Sequence, residues 1–353
     1  MKPACPLCKS QKIFNLKSFR LASLREEWRQ SFGFDPFSEF NPTDEMLRQH
    51  RCSVCNLEFY SPEYVGNAAF YEKLSKADWY YEEDKWEFDE AIRRLGRNAQ
   101  IKTLLEIGCG KGCFLEKVVS CYESMGSEIN EQAVQVCKSK NLNVTTDRLE
   151  TIRRKFDAVV SFEVLEHIPN PDDFLRNISE VLSPNGTLIL AVPNPEGSLK
   201  EMNRVLLDMP PHHTTRWSVR TFEFLSREYS LQLVGVANEP LRYVHYQQYL
   251  DSLAATHHLH GGSPANQHLD SLATAYPSQR RGSLGKRLKR RLTKMLLPDP
   301  ETVVRLMLPA LENMVRTLLP TRESIKSVVW PQAYQHHKQL LKGQTHLAEF
   351  RKN

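Results

Sequence analysis

A chain of 353 residues, 41% hydrophobic and 25% charged with a formal net charge of +5, has room for about two or three domains and a sizeable core. This composition is that of an ordinary soluble globular protein. The start, Met1-Lys2-Pro3-Ala4-Cys5, leads straight into polar sequence, so no secretory signal is expected; no run of about eighteen apolar residues occurs, which excludes a spanning helix, and the expected compartment is the cytoplasm.

In chain order, the first elements are two cysteine knuckles, Cys5-x-x-Cys8 and Cys52-x-x-Cys55. In a reducing compartment two such knuckles read as a closed tetrahedral zinc site, each placing two thiolates on one side of a tight turn. Two matched pairs do not fit a single reactive dithiol. The 43 residues between Cys8 and Cys52 exceed the usual ribbon spacing, so residues 1–65 are expected to form a zinc-ribbon-like module with an insertion. The aromatic residues of that insertion (Phe19, Trp28, Phe32, Phe34, Phe37, Phe40) are expected to pack beneath the knuckles or to contribute to a lid. Residues 66–98, with Phe70, Tyr71, Trp86 and Phe88 set among acids and lysines, read as linker or cap helices.

The run Leu104 to Leu115 reads as a buried strand that enters a glycine loop and opens a helix near Lys111. Glycines at 108, 110 and 112 allow positive φ and let the backbone lie against a ligand, while the helix start aims free N–H groups at the same spot. The dinucleotide fingerprint G-x-G-x-x-G would need glycine at Cys113, so the pattern is G-x-G-x-G. The run Tyr122 to Ile129 reads as a second strand ending in Glu128, a carboxylate able to accept both hydroxyls of a ribose; the alternative is a solvated loop acid. Apolar, β-branched runs at Leu142 to Thr146, Phe156 to Phe162 and Thr187 to Val192 alternate with helical-period stretches, which predicts a parallel sheet covered on both faces.

With Glu106 two residues before Gly108, the glycine loop resembles motif I of the class I S-adenosylmethionine (SAM) dependent methyltransferases. Phe156 to Pro169 looks like motif IV of that family, and Leu182 to Leu190 like its post-motif turn and fifth strand. The resemblance covers about residues 85–240. It implies an α/β fold: a Rossmann-like seven-stranded SAM methyltransferase sheet over 99–240, preceded by the zinc-ribbon-like module and followed by a helical C-terminal extension over 241–353. It further implies that Glu106, Gly108, Gly110 and Gly112 seat the methionyl part of SAM, Glu128 the ribose and Asp147 the adenine amino group. Ser161 and Phe162 floor the pocket, and Cys109 and Ile129 complete the cofactor-binding set. A cysteine-rich segment ahead of such a domain also resembles methyltransferases of bacterial sugar and polysaccharide pathways.

Methyl transfer from a sulfonium is an in-line displacement, so its chemistry depends on alignment and on removal of the acceptor proton. Two clusters are expected at the carboxyl edge of the sheet. In Glu163-x-x-Glu166-His167 the two carboxylates would project from one face of a helical turn beside an imidazole, a set suited to Mg²⁺, Mn²⁺ or Zn²⁺. The same phrase occurs in methyltransferases that use a metal to position vicinal hydroxyls, including ubiquinone-pathway O-methyltransferases and small-RNA 2′-O-methyltransferases, and in metal-free relatives where it shapes the pocket. In Pro210-Pro211-His212-His213 either histidine can serve as general base or further metal ligand, or bond a loop carbonyl; the resemblance favours His213. The catalytic candidates are thus His213, His212 and His167.

Gly261 to about Ser283 reads as a flexible connector. From Arg280 to Lys294 eight residues are basic and none acidic, with Leu284, Leu288 and Leu292 at helical spacing; such a segment suits an anionic membrane surface, nucleic acid, or docking on its own domain. The expected function is O-methylation of a glycan, sugar-lipid or small-metabolite hydroxyl, in the cytoplasm or at the inner face of the membrane. The alternatives are RNA methylation and a scaffold with the SAM fold but no catalysis.

Overall fold

The computed structural model describes residues 3–40, 42, 44–76, 80, 83–197, 205–242 and 342–353. The basic segment Arg280 to Lys294, the connector before it and two later apolar runs, Val303 to Leu308 and Met314 to Leu319, whose sequence reads as further helices, lie outside them. The chain divides into two compact units. The first holds Met1–Pro195, Val205–Glu239 and Thr345–Asn353, the second Glu196–Arg204 and Pro240–Gln344.

The first part of the chain forms β1 (Ile13–Arg20), α1 (Leu21–Phe32), β2 (Met46–Cys52) and β3 (Glu58–Ser61), then the short helices α2 (Ala68–Leu74) and α3 (Trp86–Leu95). There follow β4 (Thr103–Ile107), α4 (Cys113–Val118), β5 (Glu123–Ser127), α5 (Glu131–Ser139), β6 (Val144–Thr145), β7 (Phe156–Phe162), α6 (Pro171–Val181) and β8 (Leu182–Pro193). After β9 (Thr215–Arg216), α7 (Val219–Glu228) and β10 (Leu231–Pro240), the last element is β11 (Lys342–Lys352).

The main sheet has seven strands in the order β10-β11-β8-β7-β4-β5-β6. Strands β4 to β8 run parallel where they pair, and β11 is antiparallel to β8, with Thr345 opposite Pro193 and Arg351 opposite Thr187. The alternation expected of strands buried on both faces is present residue by residue. Leu105, Val159, Leu188, Leu190 and Phe350 join one core with Leu175 and Ile178 of α6 and Phe222 of α7. Leu104, Ala158, Val160, Ile189 and Leu347 join the other with Phe88 of α3, Phe114 of α4 and Val134 of α5.

Two expectations about boundaries need correction. The sheet is not complete at residue 240: it takes its seventh strand from Lys342–Lys352, inside the segment expected to be a helical extension, and Arg94 of α3 holds that strand through an ion pair with Glu349 at 2.8 Å. The N-terminal module is also not self-contained. Its sheet has the order β1-β2-β3-β9, so the fourth strand comes from beyond β8, and Cys5, Cys52, Cys55 and Leu57 share a core with Leu165, Trp217 and Phe222. Of the two expectations for the aromatic insertion, packing beneath the knuckles does not hold: Trp28 and Phe37 cluster with Tyr64, with Phe70 of α2 and with Met209. Among the described residues no helix is long and apolar enough to cross a membrane.

Candidate active site

The strand order reverses between β4 and β7, and in an open α/β sheet the crevice at that switch point is where ligands bind. The loops after those two strands touch: a Cβ at Gly108 would collide with Val164. Gly108, Gly110 and Gly112 have φ of +74°, +51° and +79°, so the expected glycine conformation holds at all three, and Gly112 caps α4, whose first residue, Cys113, is two beyond the expected start at Lys111. At Gly112 a Cβ would also press on Leu142 and on Cys137 Sγ, the latter at 3.0 Å. Gly112→Ala is therefore expected to cost about 1–3 kcal/mol in urea unfolding and to weaken cofactor binding in calorimetry.

Glu128 follows β5, and its Oε2 accepts the Gly110 N–H at 2.9 Å while Oε1 accepts the Asn130 N–H at 2.8 Å. The carboxylate is thus fixed across the mouth of the glycine loop, beside Ile129, which is 81% exposed. Asp147 is exposed, and its carbonyl accepts the Ser127 hydroxyl at 3.0 Å, which ties its loop to the end of β5. Cys109 is buried and its N–H donates to Ser127 O at 3.2 Å. Below the loop, Ser161 is buried and donates to Ile107 O at 3.2 Å, and Phe162 lies between Phe88 and Phe114 at ring distances of 5.1 and 4.8 Å. Glu106, at 3% exposure, has an oxygen with no hydrogen-bond partner among the described residues. Burial pushes its carboxyl up to about 8, against the pull of Lys85 and with help from Glu128.

The second cluster gathers around Glu166. The expected helical face does not bring its carboxylates together. Leu165–His167 is a 3₁₀ turn, and Glu163 precedes it in the left-handed region with φ of +53°, a backbone state that a non-glycine residue keeps only where its surroundings enforce it. Thr214 closes the gap to the histidine loop by donating its N–H to Glu166 O at 2.8 Å.

The ligand atoms of His167, His212 and His213 lie within 4.8 Å of one another. In each ring Nδ1 is occupied: His167 donates to His212 O at 2.6 Å, His212 to Leu207 O at 2.8 Å, and His213 to Asp208 Oδ1 at 3.2 Å. Each Nε2 therefore carries a lone pair. Those of His167 and His213 lie 3.7 and 3.8 Å from Glu166 Oε1. Both oxygens of Glu166, Oε1 of Glu163 and Nε2 of His212 are buried with no hydrogen-bond partner among the described residues. Burial holds all three imidazoles below their usual range, His167 at about 4, so they are neutral at pH 7. Burial raises both carboxyls: Glu163 to about 8, with repulsion from Glu87 and Glu239, and Glu166 well above the usual carboxylate range, with repulsion from Glu163.

The sequence reading missed four residues. Tyr71 of α2 places its hydroxyl 3.1 Å from His167 Nδ1. Lys85 is the positive charge acting on Glu106, Glu163 and Glu166. Asp208 and Arg216 bracket His212 and His213. None of them belongs to a motif; only the aromatic density around residue 71 gave a signal.

Residues 79–236 match the family model of a methyltransferase domain. The chain is 30% identical over 102 residues to a mitochondrial ubiquinone biosynthesis O-methyltransferase of Arabidopsis thaliana, covering 26% of this chain and 32% of that one. It is 35% identical over 102 residues to the corresponding protein of Schizosaccharomyces pombe, covering 26% and 37%. The chain thus spans about a third of the length of these relatives. Among solved structures, a SAM dependent methyltransferase from Archaeoglobus fulgidus is 16% identical, over 80% of this chain and all of that one, with a TM-score of 0.41. The site suits SAM on its own evidence, since the buried oxygen of Glu106 fits a cationic methionyl group and the glycine loop leaves room for it. Residues 79–236 thus carry a methyltransferase domain, and over that part of the chain the resemblance is to the class I SAM-dependent methyltransferases.

Proposed function

We propose that the protein is an O-methyltransferase acting on a hydroxyl of a small metabolite or glycan, and that Glu163, Glu166, His167 and His213, with His212 beside them, hold a divalent cation where the acceptor binds. The observation that carries this reading is the convergence of the Nε2 atoms of His167 and His213 on Glu166, a buried carboxylate that accepts no hydrogen bond among the described residues. A histidine that ligates a metal normally donates its other N–H to a carbonyl or carboxylate, and all three do so. The names of the curated relatives, ubiquinone biosynthesis O-methyltransferases, support a hydroxyl acceptor.

A cation in this cluster supplies Lewis-acid polarisation of the acceptor hydroxyl. The chain's own residues do the rest. Glu106 and the glycine loop fix the methionyl end of the donor, Glu128 the ribose, and Phe162 with Phe88 forms an apolar floor that excludes water. The deciding experiment is methyl transfer from labelled SAM to a panel of catechols, polyols and sugar nucleotides. Turnover is expected only when Mn²⁺, Mg²⁺ or Zn²⁺ is returned to chelated protein; full turnover by the chelated protein would contradict the reading.

The four N-terminal cysteines form a second donor set. Cys5 and Cys55 Sγ are 3.4 Å apart, as are Cys8 and Cys52, and all four lie within 4.8 Å. A tetrahedral Zn–S₄ site places its sulfurs about 3.8 Å apart, so small adjustments suffice for structural zinc. Mass spectrometry is expected to find one zinc per chain. Cys52→Ser should lose it and unfold at a much lower temperature, because Cys5, Cys52 and Cys55 sit at 0–1% exposure in the main core.

A further inference from the structure

We propose that Asp208 and Arg216 are positioning residues for His213, and that Glu58 anchors them to the strand leaving the second cysteine knuckle. The inference rests on the reading of the histidine cluster as a metal site. His213 Nδ1 donates to Asp208 Oδ1 at 3.2 Å, and Asp208 Oδ2 pairs with Arg216 Nε at 2.9 Å. Arg216 Nη1 donates to Glu58 Oε2 at 3.1 Å. The same Glu58 oxygen takes the Gln49 amide at 2.7 Å, and its other oxygen takes Arg51. Asp208 and Glu58 are 7% and 8% exposed, so the chain of charges runs through the interior.

The backbone follows the same route. β3 pairs with β9 in the register Glu58 opposite Arg216 and Phe59 opposite Thr215. Leu57 O accepts the Cys52 N–H at 2.9 Å, and Asn56 of the knuckle turn donates to Ser218 at 2.7 Å. β9 begins two residues after His213, so a displacement of the knuckle shifts the histidine loop directly. The planar guanidinium spans the two carboxylates with donors in a fixed fork, a geometry that the rotatable donors of an ammonium do not fix. Asp208, held by that fork, fixes the His213 tautomer whose Nε2 faces Glu166 and raises its basicity as a ligand. The knuckle thus sets ligand geometry at a distance, and its cysteines need not touch acceptor or donor.

The test measures Mn²⁺ binding by the loss of the free-ion paramagnetic resonance signal, on the full chain with its zinc content checked. Asp208→Asn preserves volume and leaves Arg216 paired with Glu58, so it should fold. Its Mn²⁺ affinity is expected to fall about 10–100-fold with SAM affinity and zinc unchanged. Arg216→Lys is expected to follow in the same direction, and Glu58→Gln to lose severalfold, an effect that should vanish in the Asp208→Asn background because both act through one residue. Wild-type Mn²⁺ affinity in Asp208→Asn, with only a lowered melting temperature, would overturn the positioning role and leave the metal reading intact. Equal Mn²⁺ binding by wild type and His213→Ala, or none by wild type, would overturn the metal reading and the positioning role with it.

Discussion

Glu106→Gln is expected to make the free protein more stable at pH 8 while weakening SAM binding about 10–100-fold, the range for a lost hydrogen bond to a charged group. Glu106 is 3% exposed, one of its oxygens has no hydrogen-bond partner among the described residues, and burial shifts its carboxyl from about 4.5 to about 8. The folded pKa lies above the unfolded one, so between those values folding takes up a proton. The stability this contributes is fully present below pH 4.5 and is lost as pH rises through 8. A tenfold change in a proton-binding constant corresponds to about 1.4 kcal/mol, which makes the loss on the order of a few kcal/mol. Glutamine keeps the shape and removes the titration. Thermal scans between pH 5 and 9 should show wild type losing stability across this window and the variant losing less, with calorimetry reporting the weaker SAM affinity. Parallel pH profiles, or wild-type SAM affinity in the variant, would show that Glu106 does not serve the donor.

The candidate donor half of the site lies in one short stretch of sequence, which made its pattern legible. Glu106, the glycines and Glu128 fall within 23 consecutive residues, and each is required by a local rule: positive φ at Gly108, Gly110 and Gly112, a strand end at Ser127, a carboxylate across the loop mouth. Continuous apolar, β-branched runs likewise announced β7 and the central part of β8, because both faces of those strands are buried.

The acceptor half was readable only as fragments. Glu163 to His167 and His212-His213 were visible as clusters, but their meeting depends on Thr214 bonding Glu166 O and on a two-residue strand, β9, too short to leave a pattern. The expected helical turn relied on i, i+3 spacing, which the left-handed Glu163 defeats. Strand β11 was lost for a different reason. Its partner β8 lies about 150 residues earlier in the chain, and a strand that far from its neighbour carries only its own alternation, in which buried His346 and Glu349 interrupt the apolar pattern. Asp208, Arg216 and Glu58 form a constellation of single charges from three separate segments, which periodicity cannot detect.

Glu166→Gln is expected to abolish divalent-cation binding and to reduce methyl transfer about 1,000-fold, or about 4 kcal/mol of transition-state stabilisation, the scale of a lost Lewis acid. Like Glu106, this carboxyl is buried, and burial outweighs the pull of Lys85 toward its charged form. Glu166 is 1% exposed, neither of its oxygens accepts a hydrogen bond among the described residues, and its neighbour Glu163 is a second buried carboxylate. Two such groups side by side are costly unless a cation joins them, and the imidazoles around them are neutral and supply no positive charge. Glutamine should relieve the repulsion, so the metal-free variant should melt above metal-free wild type, with SAM affinity unchanged because Glu106 and Glu128 are untouched. Mn²⁺ should raise the melting temperature of wild type and not of the variant. Turnover within a few-fold of wild type would place Glu166 outside the reaction. A fall in SAM affinity to match the fall in turnover would mean that the carboxylate serves the donor, and the two halves of the site would then have to be redrawn as one.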